Sequence, residues 1–87
     1  MSDVPSEIIF QSKDGYTAAV LRHNYPWGFP TVAILHDQAN SDRKTLRRAY
    51  LAAHRLGYSE LLAREVDLES GLTHLILKRN LASWENE

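Results

Sequence analysis

His36 and Asp37 are adjacent, just before a stretch rich in helix formers. An imidazole beside a carboxylate at the end of a strand is a pair from which a catalytic or metal site can be built. Neighbouring residues on a continuing strand point to opposite faces, however. No third ligand stands at the spacing a metal site needs. The simpler expectation is a turn in which Asp37 or Asn40 caps backbone groups.

A denser group of polar chemistry lies in the segment SDRKTLRRAYLAAHRLG, residues 41–57. Arg43, Lys44, Arg47, Arg48, His54 and Arg55 collect on one side of a helix drawn at 100° per residue, with Leu51 in their midst. Five of the chain's ten Lys and Arg are here, opposed only by Asp42. The segment therefore carries +4, and the remainder of a chain with net charge −1 carries −5. Such polarisation matters more to docking than the total charge does. Arg43 and Lys44 occupy the first turn, where the helix dipole favours acids, and no base has a Glu four residues on to pair with. A helix selected for stability alone would place acids early and bases late. The anomaly makes the N-terminal half a candidate anion-binding region, against the plain alternative of a solvated charged face.

The third group is aromatic. Tyr25, Trp27 and Phe29 alternate along NYPWGFP, residues 24–30, whose two prolines and glycine mark a loop. Exposed rings on a loop are effective binding anchors. In a domain this small, the competing expectation is that they fold over the open end of a sheet as a lid.

Other chemistries are disfavoured. The chain has no cysteine, which excludes disulfides, thiolate zinc sites and a Cys nucleophile. It has no glycine-rich phosphate loop, nucleophile elbow or HExxH. A non-enzymatic protein with no metal and no cofactor is expected. No basic stretch followed by a long apolar run opens the chain, and no apolar run approaches 18 residues. With the lack of cysteine, this fits a cytoplasmic protein.

The elements that must position these groups follow from pattern. The 87 residues, 44% hydrophobic and 24% charged, suit one globular domain. Ser41 is the expected N-cap and Gly57 the left-handed end of a helix over 42–56. Leu46, Ala49, Ala53 and Leu56 form its apolar stripe, with Thr45, Tyr50 and Ala52 at the margins. Residues 7–13 and 16–23 read as strands joined by a two-residue Asp14-Gly15 turn. That register sets Phe10 opposite Ala19 and Ile8 opposite Leu21, with Ile9 and Val20 sharing the other face. Residues 31–35, TVAIL, read as a central strand. Residues 58–69 and 72–79 read as a second hairpin turning at Ser70-Gly71, which sets Val66 opposite Leu75 and Asp67 opposite His74. The expected fold is α+β: a mainly antiparallel five-stranded sheet, β-β-β-α-β-β, with one amphipathic helix on one face. Residues 1–6 are expected to be a flexible start, 7–80 the domain and 81–87 a tail containing Trp84.

Two docking functions fit. The first is a small interaction protein, an inhibitor or accessory regulator, binding an acidic protein surface. It would use Arg43, Lys44, Arg47, Arg48, Leu51, His54 and Arg55, extended by Trp27 and Phe29. An apolar centre rimmed by charge resembles a protein hot spot. The second is a nucleic-acid binder using the same helix, with the aromatic loop stacking on unpaired bases. A homo-oligomeric structural role, with the sheet's free face buried between copies, is a third possibility. No membrane partner is expected.

Overall fold

The computed structural model describes residues 6–23 and 28–79. The order is β1 (Ser6–Gln11), β2 (Thr17–Arg22), β3 (Thr31–Asp37), α1 (Arg43–Arg55), β4 (Tyr58–Asp67) and β5 (Leu72–Arg79). The strands form one antiparallel sheet in the spatial order β1-β2-β3-β5-β4. The apolar, β-branched β3 is the central strand, as its composition requires. The β4 strand runs parallel to β3 but is not its neighbour, because β5 inserts between them. The expectations for Trp27, Tyr25, Trp84, residues 1–5 and residues 81–87 lie outside the described residues, and Ser6, expected in the flexible start, opens β1.

Pairing across the strands sorts side chains onto two faces. Ala19, Ile34 and Leu75 form one row, and Leu21, Val32 and Leu77 the next. These lie beneath α1, whose Ala49 and Ala53 have no exposed surface. Two methyl side chains let the helix approach the sheet closely. Ile34, Leu77 and Val32 are the largest fully buried apolar residues, each stabilising the fold by about 1.5–3 kcal/mol. On the opposite face Val20, Ala33, Ile76 and Ala63 form a row, in which Ala33 and Ile76 are buried and Val20 and Ala63 half-buried.

Both hairpins differ from the expected two-residue turns. In the first, the Ser12 N–H donates to the Thr17 carbonyl (2.9 Å). Asp14 accepts from the Ser12 hydroxyl (2.6 Å) and the Tyr16 N–H (3.0 Å). These bonds stabilise a loop over residues 13–16. Phe10 does oppose Ala19, but a bulge between Ile8 and Phe10 then sets Ile8 against Val20. Ile9 consequently packs with Phe10 against the core cluster rather than sharing Val20's face. In the second, the Gly71 N–H donates to the Asp67 carbonyl (2.8 Å), and Asp67 pairs with Leu72 around a loop over residues 68–71. The register near this turn is therefore two residues from the expected one: Val66 opposes Thr73, and His74 opposes Glu65 rather than Asp67. Among the described strands the sheet edges are β1 and β4. Both are bulged, β4 at Tyr58/Glu60 and at Leu61/Ala63, which blunts them against pairing with other strands.

Candidate interaction surface

The cationic face is positioned by the two ends of α1. Asp42, not Ser41, is the N-cap: its backbone is extended, and its carboxylate accepts from the Thr45 N–H (2.8 Å) and hydroxyl (3.2 Å). A charged cap offsets part of the repulsion between the helix dipole and the Arg43 and Lys44 charges. Those two hydrogen bonds hold the Asp42 carboxyl below its usual range, the backbone one contributing more. Ser41 instead sits with its Oγ 3.2 Å from His36 Nδ1. At the other end the Leu56 N–H donates to the Ala53 carbonyl (3.1 Å) and the Gly57 N–H to that of His54 (2.9 Å). Gly57 takes φ +92°, which only glycine adopts without strain. Leu56, expected in the buried stripe, is 46% exposed, because the helix unwinds there and turns toward β4.

With Ala49 and Ala53 facing the sheet, Arg43, Lys44, Arg47, Arg48, Leu51, His54 and Arg55 all point to solvent. Leu51 is 47% exposed among them. Lys78 pairs with Glu60 at 3.7 Å, and among the described residues no acid forms an ion pair with a helix cation. His54 is partly engaged, its ring meeting that of Tyr50 edge-on at 6.1 Å. Phe29 is 40% exposed on the loop before β3.

Among the described residues, three open depressions follow the helix. The first, of ≈340 Å³, is lined by Arg43, Lys44, Leu46, Arg47 and Tyr50. Another, of ≈430 Å³, lies at the helix start against Asp42, Arg43, Lys44, Thr45 and Arg48. The third, of ≈370 Å³, separates α1 from β1 and is lined by Ile9, Phe10, Arg48, Leu51, Ala52 and Arg55. Phe29 lines none of these three.

Ile9, Phe10 and Tyr50 line these depressions, and Arg64 lies on the same side of the sheet; none of the four was expected there. Arg64 pairs with Leu75 on the helix side of the sheet. It acts electrostatically on both Tyr50 and His36, adding a cation from β4. The alternation of β4 already placed Arg64 on a largely apolar face; that α1 lies over that face needed the fold. Nothing in the local sequence signalled the bulge that turns Ile9 toward the helix.

His36 and Asp37 do not form a shared site. Asp37 closes the turn before α1, accepting from the Ala39 N–H (2.9 Å), the Asn40 N–H (3.2 Å) and the Asn40 Nδ2 (3.2 Å). His36 is half-buried, and burial and then the Arg64 charge disfavour its protonated form, with Asp37 opposing them. Among the described residues no three His, Asp or Glu groups cluster as a metal site would require, and no helix is long and apolar enough to cross a membrane. The combined surface offers positive charge on either side of an exposed apolar side chain. No protein-family model, curated protein or solved structure matches the chain.

Proposed function

We propose that this chain is a non-enzymatic interaction protein, an inhibitor or accessory regulator, which docks an acidic protein partner through the exposed face of α1. The supporting observation is the exposure of Leu51, 47% accessible between Arg47, Arg48 and Arg55. An apolar centre desolvates on docking, and the surrounding guanidinium groups supply orientation and exclude wrong partners. Phosphate tracking by itself would gain nothing from a leucine there. The lack of cysteine suits a reducing compartment, and the cytoplasm is the proposed location.

Capture of a partner from lysate on the immobilised protein tests this, with and without nuclease and at low and high salt. A discrete protein should survive nuclease, and both Leu51→Asp and Arg47→Glu/Arg48→Glu should release it. Nucleic acid recovered instead, with binding that falls steeply with salt, would overturn it in favour of an RNA or DNA ligand. Identical capture by wild type and both variants would make the helix face a solvated surface only.

A further inference from the structure

Four of the exposed side chains lie closer together than the general cationic face implies. Lys44, Arg48, Leu51 and Arg55 follow one another at intervals of four, three and four residues. At 100° per residue they fall within about 60° of arc and extend about 16 Å along the helix. This spacing is that of a seam between two packed helices. Arg48 and Arg55, seven residues apart, stand two turns or about 10.5 Å from one another with Leu51 between them.

The neighbouring groove supplies a floor for such a seam. The bulge in β1 places Ile9 and Phe10, two consecutive residues, on the helix side. Both line the ≈370 Å³ groove, together with the small Ala52 and the seam residues Arg48, Leu51 and Arg55. Ala52 lets another backbone come close. Resting on the docking function proposed above, we infer that this groove receives an acidic amphipathic helix of a partner protein. That helix would lie along α1, with carboxylates seven residues apart meeting Arg48 and Arg55. Apolar side chains three or four residues after the first carboxylate would meet Leu51, Ile9 and Phe10.

The spacing selects a helix over an extended segment. A strand places same-face side chains about 6.6 or 13 Å apart, and neither matches the rise of about 10.5 Å between the Arg48 and Arg55 positions. Addition of a strand to the outer edge of β1 is opposed by the bulge. A second copy of the chain does not supply the occupant, because its one described helix is itself basic.

Selection from a random linear peptide library displayed on phage, against the immobilised full chain, tests the inference. The expected winners carry Asp or Glu seven residues apart, with Leu, Ile, Phe or Met three or four residues after the first. They should gain helical circular dichroism on binding and bind Leu51→Asp at least about tenfold more weakly. Repeating the selection on Arg48→Glu/Arg55→Glu should exchange the acids for Lys or Arg. Unchanged thermal midpoints for both variants would show that folding is not the cause. Winners with acids at a spacing of two, still released by Arg47→Glu/Arg48→Glu, would overturn the helical mode while leaving the docking function in place. Failure of any peptide to enrich over the charge-reversed surface would overturn the inference, and the lysate experiment would then judge the docking function separately.

Discussion

The Asp42 carboxylate receives two hydrogen bonds from one residue, the Thr45 N–H at 2.8 Å and the Thr45 hydroxyl at 3.2 Å. This pair starts a helix whose first turn is otherwise ill-suited to the dipole, since it contains no acid. Asp42→Ala should lower the thermal midpoint, whereas Asp42→Asn should retain most of it because an amide oxygen still accepts the Thr45 N–H. Ser41→Ala should do less to the helix, its hydroxyl being next to His36 instead. Thermal melts of the three variants by circular dichroism check the order.

Ala49 and Ala53 set the distance between helix and sheet, each with 0% exposure. Enlarging either to Leu inserts three carbons where the sheet lies directly beneath. The expected cost is about 1–3 kcal/mol from overpacking. Denaturant unfolding should show a lower midpoint for Ala49→Leu and Ala53→Leu. Ala52→Leu, at the helix margin, should cost much less and should block the α1–β1 groove.

The fold class was legible because each element announces itself. The TVAIL run, the glycine-ended helix and the two strand pairs leave few other arrangements. What escaped were choices made between close alternatives. Ser41 and Asp42 are both good caps, and only the hydrogen bonds to Thr45 decide between them. Ser70-Gly71 resembles a two-residue turn, but the Asp67 carboxylate takes the Glu69 N–H (3.0 Å) and its carbonyl the Gly71 N–H (2.8 Å), closing a wider loop. The insertion of β5 between β3 and β4 depends on long-range pairing that no local pattern encodes. For the candidate surface, the helix cations and Leu51 were visible from periodicity. The groove floor of Ile9 and Phe10 was not, because a bulge overrides the alternation on which strand faces are read.

Thr73 has no exposed surface, and among the described residues its hydroxyl has no hydrogen-bond partner. Thr17, on the other side of His36 in the same cross-strand row, is in the same condition. A buried hydroxyl with no partner costs about 1–3 kcal/mol in lost hydration. Thr73→Val keeps the branched shape and removes that cost, so it should raise stability by about 1 kcal/mol. Urea unfolding of the variant against wild type measures the difference; a loss instead would mean that the hydroxyl is satisfied in solution.

Four carboxylates should make the fold acid-sensitive. Asp14, Asp37, Asp42 and Asp67 are each held below the ordinary 3.8 by local hydrogen bonds, led by the Ser12 side chain, the Asn40 side chain, the Thr45 backbone and the Glu69 backbone respectively. A depressed carboxyl contributes stability that is complete above its unfolded value and lost as pH falls through the folded one. Unfolding free energy should therefore decline from about pH 4 downward. Replacing all four by Asn should flatten that decline.

His36 adds a separate step at higher pH. Burial first, and the Arg64 charge second, hold its folded pKa below the ordinary 6.5, with Asp37 acting the other way. Above 6.5 the imidazole is neutral in both folded and unfolded chains, so it adds no pH dependence there. As pH falls through 6.5 the unfolded chain takes up the proton first, and stability drops until the folded pKa is passed. Denaturant midpoints measured across this range should fall toward acid in wild type and stay level in His36→Gln. Arg64→Leu should raise the His36 pKa in an NMR titration and narrow the step without removing it, because burial remains. If Arg64→Leu leaves the titration unchanged, the β4 cation does not reach across to β3, and Arg64 would have no place in the electrostatics of the helix face.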